Sequence, residues 1–508
     1  MTRGVIGYLE ASAKRHPHKT AFADLEHSLT FQETWRIARS IGSSICEFGI
    51  RRKPVAVFMD KGAESVAAFL GVVSGGCFYC PLDLKMPADR LNTILSVLEP
   101  ALMITKRPME EQVKALGYKG PVLFYEEISV HPDFGERLNH VLDSITEQDP
   151  LYVLFTSGST GVPKGVLVGE RVVTNYIRWL EESFDFTSED VFGNQAPLYF
   201  DVSVHDIYAA LYFGARMEII PPSYFSFPVR LIEYMNERQI TTFLWVPSAM
   251  GMIANLDAFR YALPQFLRHV MFAGEVLSAK HLGYWVHYLP KAVYANLYGP
   301  TETFVCTAYI LGREEHSEGE FDAPLPIGKP ILNSRAIILG ENGLPVKEGE
   351  AGELCMQGDC LALGYYRNLE RIQAAFIINP ANPDYPERIY RTGDLVRTDA
   401  HGNLIYISRK DDQIKHMGYR IELGEIEAAA IGVDGVTDCA CLYNEERKQI
   451  VLCYAGKQLE KKYLEEMLGK KLPAYMMPGR FCHYPALPHN ANGKVDRRRL
   501  KEIQNERK

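Results

Sequence analysis

Short apolar runs alternate with longer helix-like patterns through residues 1–408. Buried strands are predicted by these apolar runs: Pro54–Phe58, Ala101–Thr105, Val122–Tyr125, Leu151–Phe155, Arg268–Phe272 and Ala292–Ala295. Helices are predicted around Glu64–Ser74 and over Val204–Leu211. Strands that alternate with helices in this way are typical of α/β architecture with mostly parallel sheets.

The pattern changes towards the end of the chain. Around Ala336–Leu339 and Gly352–Gln357 it becomes strand and turn without long helices, which favours a small barrel or an antiparallel sheet. A strand at Asn403–Ile407 precedes the charged run at residues 409–412, where we place a domain boundary. The chain is thus divided into residues 1–408 and a compact unit of residues 409–508.

Within that final unit, an amphipathic helix is predicted from Arg420 to Ala430. Strands are predicted at Cys439–Tyr443 and Ile450–Ala455, and a second helix at Lys461–Leu472. The unit is therefore expected to be α+β.

Composition narrows the class of protein. Hydrophobic residues make up 47% of the 508 residues and charged residues 23%, as in an ordinary globular protein. The net charge of −8 gives no reason to expect nucleic acid or an anionic membrane as a partner. The sequence contains no apolar run of membrane-spanning length, and its first residues lack a signal-peptide core, so a cytoplasmic location without membrane insertion is expected.

The ten cysteines are scattered through a large chain and do not predict a disulfide framework. Cys77 and Cys80 have CxxC spacing, but they lie in an apolar run with no second pair nearby. We expect them to be buried thiols that pack as small apolar side chains.

Residues 156–165 are the most informative segment. They follow a predicted strand and supply four hydroxyls, three glycines and one lysine: Thr156, Ser157, Gly158, Ser159, Thr160, Gly161, Lys164 and Gly165. Backbone N–H groups and hydroxyls of this kind can line a phosphate tail, although a flexible surface turn has a similar composition. The segment is not a P-loop, because Lys164 leads into a predicted return strand rather than a helix. A hairpin loop that closes over a nucleotide is predicted.

Three further segments carry groups suited to a nucleotide. Asn296–Glu302 offers Tyr298 for stacking on a base, Thr301 for a phosphate and Glu302 for Mg²⁺. Tyr390–Asp394 adds a carboxylate suited to a ribose diol, and Gly274 and Glu275 follow a strand where a flat ring can rest. Structural turns are the alternative for each segment taken alone.

In this order, these segments resemble the adenylate-forming enzyme superfamily. They are most similar to the amino-acid adenylation enzymes of nonribosomal peptide synthesis and D-alanine activation. The resemblance covers nearly the whole chain and includes further segments: Gly76–Asp83, Pro87–Arg90, Phe200–Ser203, Asp411–Glu427, Leu472–Pro478 and Asn492–Asp496. It implies a large N-terminal domain of α/β subdomains with a small barrel-like β subdomain, and a small mobile C-terminal domain.

The resemblance also implies ATP and Mg²⁺ as cofactors and assigns roles. Residues 156–164 would bind the β- and γ-phosphates, Tyr298 adenine, Asp394 the ribose, Thr301 the α-phosphate and Glu302 magnesium. The nucleotide site would further include Gly274, Glu275, Asn296, Gly299 and Arg409. Lys494 would bridge the substrate carboxylate and the α-phosphate. Ser408 departs from the usual glycine before Arg409.

In the resembling enzymes, an acyl-adenylate forms first and a thiol then attacks it. The C-terminal domain rotates between these steps about a hinge at the position of Asp411. Rotation would withdraw Lys494 and bring Lys415 and Gly418 to the active site, where the glycine lets a pantetheine arm pass.

Asp201 bears on the choice of substrate. In amino-acid-activating members, the matching aspartate pairs with the α-ammonium group. The alternative is that Asp201 only caps the following helix. Alignment by the motifs predicts a side-chain pocket formed by Val202, His205, Trp245, Met271, Ala273, Leu297, Val305 and Cys306. These residues offer no acid or lysine, so we expect a small, apolar or weakly polar amino acid.

The chain carries no carrier site after Lys494 and no condensation domain before residue 1, which predicts a freestanding enzyme with a carrier protein in trans. It resembles the D-alanine–D-alanyl carrier protein ligases, but Ala273 stands where those ligases tend to carry cysteine. A freestanding ligase for an L-amino acid is the close alternative. Two alternatives belong to other functional classes: an acyl-CoA ligase and an inactive scaffold that binds a carrier protein.

Overall fold

The alternating pattern of the sequence folds into two large sheets with helices packed on them. The computed structural model describes residues 3–132, 135–158, 162–312, 321–411, 413–445, 447–489 and 495–506. Within these ranges the chain forms the strands and α-helices named below.

The strands are β1 (Thr20–Ala23), β2 (Ser28–Thr30), β3 (Pro54–Phe58), β4 (Phe78–Leu82), β5 (Leu102–Thr105), β6 (Val122–Phe124), β7 (Pro150–Thr156), β8 (Lys164–Gly169), β9 (Val191–Asn194), β10 (Arg216–Ile219), β11 (Thr242–Trp245), β12 (His269–Ala273), β13 (Val293–Tyr298), β14 (Thr307–Leu311), β15 (Lys329–Pro330), β16 (Ser334–Leu339), β17 (Gly352–Gly358), β18 (Gly364–Tyr365), β19 (Phe376–Ile378), β20 (Arg388–Thr398), β21 (Leu404–Arg409), β22 (Gln413–His416), β23 (Tyr419–Glu422), β24 (Val436–Asn444), β25 (Gln449–Gly456) and β26 (Arg480–Tyr484).

The helices are α1 (Ile6–Arg15), α2 (Phe31–Glu47), α3 (Ala63–Ser74), α4 (Ala88–Leu98), α5 (Glu110–Ala115), α6 (Tyr125–Ile128), α7 (Glu136–Asp143), α8 (Glu170–Ser183), α9 (Val202–Phe213), α10 (Pro228–Glu237), α11 (Pro247–Asn255), α12 (Ala279–Tyr288), α13 (Leu369–Ala375), α14 (Leu423–Ile431), α15 (Lys461–Gly469) and α16 (Arg497–Glu506).

The two large sheets are parallel in their centres, with antiparallel strands at both edges of one and at one edge of the other. One has nine strands in the order β15-β14-β13-β12-β11-β9-β10-β1-β2, and the other has seven in the order β18-β8-β7-β4-β3-β5-β6. One hydrophobic cluster joins both sheets with α1–α3, α8 and α9, and includes Phe22, Tyr79, Leu244 and Met271. The prediction of an α/β fold with mostly parallel sheets is confirmed.

The later part of the chain is antiparallel. Strands β16, β17, β19, β20 and β21 form a five-stranded sheet, in which β20 pairs with β17, β19 and β21. This sheet is the unit that the sequence predicts as a small barrel or an antiparallel sheet. After it come the β22–β23 hairpin and the three-stranded sheet β24-β25-β26, whose two faces are covered by α14 and α15 on one side and α16 on the other.

The predicted helix from Arg420 to Ala430 starts later than expected. Arg420–Glu422 belong to β23, which pairs with β22 around a two-residue turn formed by Met417 and Gly418. Both turn residues have positive φ, +51° and +82°, as a tight hairpin of matched twist requires. The helix α14 begins only at Leu423. The second helix of this unit, predicted at Lys461–Leu472, is α15 and ends earlier than predicted, at Gly469.

The cysteine prediction is confirmed, because Cys77 and Cys80 are both buried in the core. None of the helices within the described ranges combines the length and apolar character that a membrane crossing requires.

Trp285 offers a test of the core on the outer face of the nine-stranded sheet. Its ring is fully buried, lies 4.7 Å edge-on from Phe259, and its Nε1 donates to the carbonyl of Met250. Trp285→Ala is expected to lower the free energy of unfolding by about 3–5 kcal/mol, because it leaves a large cavity. Urea denaturation followed by circular dichroism measures this. Tyr261→Ala, at a site 73% exposed, is the control and should change little; equal losses for both variants would contradict the assignment.

Candidate active site

A cavity of 90 Å³ lies where the carboxyl ends of β7, β11, β12 and β13 meet. Residues that follow these strands line it, among them Ser157, Val246, Gly274 and Gly299. Ligands in open parallel sheets bind outside the carboxyl ends of strands, so the position is that of a ligand site. The β22–β23 hairpin closes the cavity with residues 418–420.

The predicted phosphate loop connects two antiparallel strands, β7 and β8, with Thr156 opposite Lys164. Its hairpin prediction is therefore confirmed. Ser157 Oγ donates to the carbonyl of Arg420 at 2.8 Å, and Gly158 N donates to Glu425 Oε2 at 3.2 Å. The loop thus contacts the C-terminal part of the chain. Ser159, Thr160 and Gly161 lie outside the described residues.

A buried ion cluster lies beside this loop. Arg420 Nη1 is 2.5 Å from Glu302 Oε2, and Lys164 Nζ is 3.4 Å from Glu302 Oε1. Tyr365 Oη also donates to Glu302 Oε1 at 2.7 Å. Burial raises the pKa of Glu302, but the two cations outweigh it and hold that pKa well below its usual range. Burial, together with Arg420, lowers the pKa of Lys164 to about 8.

Asp394 is held from two sides. Tyr298 Oη donates to Asp394 Oδ2, and Arg409 Nη1 donates to Asp394 Oδ1 at 2.8 Å. Lys415 Nζ lies 5.4 Å from the centre of the Tyr298 ring. Asp394, Arg409 and Lys415 line the cavity, so the residue predicted for the ribose lies at it. The Tyr298 ring, predicted for the base, is buried beside Asp394 and is not part of the lining. Burial lowers the pKa of Lys415.

Two other residues predicted for the nucleotide have different positions. Glu275 accepts hydrogen bonds from Ser248 N at 3.1 Å and from Gly418 N at 2.9 Å, so it links the nine-stranded sheet to the hairpin. Asn296 is buried, and its Nδ2 donates to the carbonyl of Pro326 at 2.7 Å. It fixes a loop rather than facing the cavity, which corrects its predicted place in the nucleotide site.

Asp201 lies in the cavity wall at the start of α9. Its Oδ1 accepts from Val202 N at 2.9 Å, so it caps the helix as well as facing the cavity. Burial raises the pKa of Asp201, and hydrogen bonds from Thr301 and Val202 offset this only in part. A cation placed in the cavity would therefore favour the ionised carboxylate.

The predicted side-chain pocket is only partly correct. Val202, Ala273 and Val305 line the cavity together with Leu244 and Val246. The other predicted residues are buried away from its lining: His205, Trp245, Met271, Leu297 and Cys306.

The positions of Trp245 and His205 have clear physical causes. Trp245 stacks on Phe243 and its Nε1 donates to the carbonyl of Gly193 at 2.8 Å, on the face of β11 opposite Leu244. Side chains alternate along a strand, so Leu244 lies on the face of β11 opposite Trp245. Its register partner Met271 shares a face of β12 with Ala273, which lines the cavity, and this alternation is the signal that identifies Leu244. His205 Nδ1 is 2.8 Å from Tyr176 Oη, and burial lowers the pKa of His205 to about 3.

Besides Leu244 and Val246, the cavity lining includes further residues that the sequence did not predict, among them Arg420, Tyr199, Tyr419 and Tyr475. Tyr419 stacks on Tyr475 with ring centres 3.7 Å apart and packs edge-on against Phe200 at 4.8 Å. Both tyrosines come from the C-terminal part of the chain. Arg420 and Tyr475 stand in segments that carry the family resemblance, but the sequence does not tell which partner each one meets.

The proposed hinge residue, Asp411, is exposed and pairs with Arg409 at 2.6 Å. Lys494 lies outside the described residues. In the described part of the chain, no group of three or more His, Cys, Asp or Glu side chains is placed to hold a metal ion unaided. A Mg²⁺ ion bound through Glu302 would therefore take further ligands from phosphate oxygens and water, as this ion commonly does.

Comparisons with known proteins identify the family. A model of the AMP-binding enzyme family matches residues 9–366, and a model of the AMP-binding enzyme C-terminal domain matches residues 425–494. The L-proline–[L-prolyl-carrier protein] ligase of Streptomyces coelicolor is 31% identical over an alignment of 527 positions, which covers 98% of this chain and 96% of the relative. Tyrocidine synthase 3 of Brevibacillus parabrevis is 32% identical over 97% of this chain, but the chain spans only 7% of that relative.

Solved structures give the same fold. Holo-PA1221, a nonribosomal peptide synthetase protein with adenylation and PCP domains, superposes with a TM-score of 0.82 at 25% identity, over 98% of this chain and 84% of that one. The adenylation domain AlmE of Vibrio cholerae superposes with a TM-score of 0.83 at 22% identity, over 99% and 98% of the two chains.

The fold and the cavity define an adenylate-forming enzyme, an ATP-dependent ligase that releases AMP. The chain belongs to the AMP-binding enzyme family. The Thr156 hydroxyl is buried without a hydrogen-bond partner beside the β7–β8 loop, so a phosphate oxygen of a bound nucleotide would find a donor there.

Glu302→Gln tests the ion cluster. The variant should lose about 3–5 kcal/mol of unfolding free energy at pH 7, because Lys164 and Arg420 then stay buried without their anion. The folded-state pKa of Glu302 lies below its usual value of 4.5, so its stabilisation is complete above that pH and is lost as the pH falls further.

Urea denaturation across this pH range measures the difference between wild type and Glu302→Gln. It should be constant above about pH 5 and shrink below pH 4.5. Glu348→Gln, at an exposed carboxylate, is the control and should match wild type throughout. A difference that is absent at pH 7, or that grows on acidification, would contradict the role of the cluster.

Proposed function

We propose that the protein activates a small amino acid with ATP as an aminoacyl-adenylate and transfers it to the phosphopantetheine thiol of a separate carrier protein. The observation that carries this proposal is the carboxylate of Asp201 in the cavity wall, between the phosphate loop and an apolar wall. The named activity of the prolyl-carrier protein ligases supports it, because the chain covers almost the full length of these relatives.

Adenylation requires a substrate carboxylate to attack the α-phosphorus of ATP in line while pyrophosphate leaves. Thr156, Ser157 and Lys164 would hold the β- and γ-phosphates, and Asp394 the ribose. Glu302 and Thr301 would hold Mg²⁺ and the α-phosphate, and the ion supplies charge stabilisation to the phosphate oxygens. We assign Lys494 the role of bridging the two anions, which must meet despite their repulsion.

The walls of the cavity limit the substrate. Val202, Leu244, Ala273 and Val305 are apolar and offer no partner to a charged side chain, which would lose its hydration uncompensated. Asp201 would pair with the α-ammonium group. We therefore propose a small, apolar or weakly polar amino acid, of D configuration as in the D-alanine–D-alanyl carrier protein ligases or of L configuration as in the prolyl ligases.

A second cavity of 500 Å³ supports the transfer step. It shares Tyr199, Phe200, Val202, Val246, Gly418 and Tyr419 with the first cavity. We propose that a pantetheine arm reaches the adenylate along it, passing Gly418. The arrangement with Lys415 and Gly418 at the cavity would then be the transfer state, reached when residues 409–508 rotate as a domain about Asp411.

The ten cysteines all carry free thiols, which supports a reducing compartment such as the cytoplasm as the place of action.

The substrate is identified by amino-acid-dependent pyrophosphate exchange across D- and L-amino acids. Alanine of either configuration, glycine, serine or L-proline should rank first, because each fits the apolar walls. Preference for aspartate, lysine or tryptophan would contradict the pocket. Exchange with fatty acids only would favour an acyl-CoA ligase. Absence of exchange with every acid tested would favour an inactive scaffold that binds a carrier protein.

Asp201→Asn separates the capping role of this residue from its role as an anion. Asparagine caps helices as well as aspartate does, so the unfolding free energy should change little. The kcat/KM for amino-acid-dependent exchange should fall about 10- to 100-fold, because a hydrogen bond to a charged group is lost. Asp201→Ala should lower both the unfolding free energy and the kcat/KM for exchange. Unchanged exchange in Asp201→Asn would overturn the proposed ammonium contact.

Gly418→Ala tests the transfer route. A Cβ at this position would lie 2.5 Å from Val246 Cγ1, and the backbone has φ of +82°. Acyl transfer to a carrier thiol should fall about tenfold or more from strain of about 1–3 kcal/mol, while pyrophosphate exchange is retained. Gly343→Ala is the matched control, since it has φ of +76° and open space around it. Equal loss of both half-reactions in Gly418→Ala would contradict the proposed route.

A further inference from the structure

Two cysteines lie side by side in the three-stranded C-terminal sheet. Cys453 on β25 and Cys482 on β26 are register partners in a parallel pair, so their side chains lie on the same face. Neighbouring strands are about 4.8 Å apart, which lies within the Cα–Cα range of about 4.4–6.8 Å that a disulfide bridges. The spacing of the two strands is therefore compatible with a disulfide between these cysteines.

The environment of this pair activates one thiol. Gln504 Nε2 donates to Cys453 Sγ at 3.5 Å. The neighbouring Cys453 thiol, together with Gln504 and Arg480, outweighs burial and lowers the pKa of Cys482. The pKa of Cys453 is raised in turn, as it is for the buried Cys77, Cys80 and Cys441. Cys482 thus has more thiolate character than these thiols.

One thiol of the pair is partly exposed. Cys482 is half-buried, and a cavity of 210 Å³ lies next to the pair on the same face of the sheet, although neither cysteine lines it. Val451 and Arg480, one row along from the cysteines, line this cavity, as does Gln504, which contacts Cys453. The cavity is far smaller than a protein partner requires, but it is large enough for peroxide or water.

We propose that Cys453 and Cys482 form a redox-responsive thiol pair that a hydroperoxide oxidises to a disulfide. The Cys482 thiolate attacks the peroxide oxygen, so that an S–O bond forms, the O–O bond breaks and hydroxide or alkoxide leaves with a proton. The Cys453 thiol then attacks the sulfenic sulfur, an S–S bond forms and water leaves. The two thiols lose two electrons and the peroxide is reduced.

Oxidation would also reach α16. The Gln504 contact with Cys453 anchors this helix to the sheet, and Gln504 Nε2 also donates to Tyr484 Oη at 2.8 Å. The disulfide removes the thiol contact, so α16 is expected to pack less tightly in the oxidised protein. This inference does not depend on the proposed function.

The test treats the full-length protein with hydrogen peroxide, blocks free thiols and maps linked peptides by mass spectrometry without reduction. A peptide joining Cys453 to Cys482 is expected, with a fall in titratable thiols from ten to eight and recovery on reduction with dithiothreitol. Deuterium uptake over residues 495–506 should rise on oxidation. Absence of the linked peptide in wild-type protein, or pairing of other cysteines in its place, would overturn the proposal.

Variants give the second arm of the test. Cys482→Ser and Cys453→Ser should each form no such link, and Cys482→Ser should react with peroxide more slowly than Cys453→Ser. Cys439→Ser is the matched control, because Cys439 is half-buried in the same sheet and its Sγ donates to the carbonyl of Glu427 at 3.3 Å. The control must keep the Cys453–Cys482 link; its loss there would contradict a specific pair.

Discussion

The contact of Glu302 with two buried cations is the interaction on which the arrangement of this molecule depends. Lys164 belongs to the seven-stranded sheet, Glu302 follows a strand of the nine-stranded sheet, and Arg420 belongs to the C-terminal hairpin. One carboxylate therefore joins three separate parts of the chain at the cavity. A buried charge without its partners is costly, so this carboxylate stabilises the arrangement in which the three parts meet.

The fold follows from the sequence to a large extent, because local patterns determine it. The apolar runs that become β3, β5 and β7, and the return strand β8, are short, strongly apolar and bounded by turn residues. Local patterns failed at Arg420–Glu422. The apolar residues there have helical spacing, but these residues form a strand. Pairing with β22, which is a contact between separate segments, decided the outcome there.

The site was less predictable than the fold for a related reason. Which residues lie near the cavity follows from motifs, but which side chain faces it follows from strand register. The alternation of Leu244 and Trp245 on β11 places the smaller residue at the cavity and the indole in the core behind it. The role of Arg420 depends on a contact across 118 positions of the chain with Glu302, and no local pattern indicates such a partner.

The hydrogen bond from Gly158 N to Glu425 has a consequence for the order of events. A backbone amide in the loop that we propose to bind phosphate can serve one anion at a time, and in this arrangement it donates to a carboxylate of α14. A polyphosphate tail on the loop and this closed arrangement would therefore compete for the same donor. Pyrophosphate would then have to leave before the loop contacts α14, so adenylation would be completed before the arrangement with Gly418 at the cavity forms.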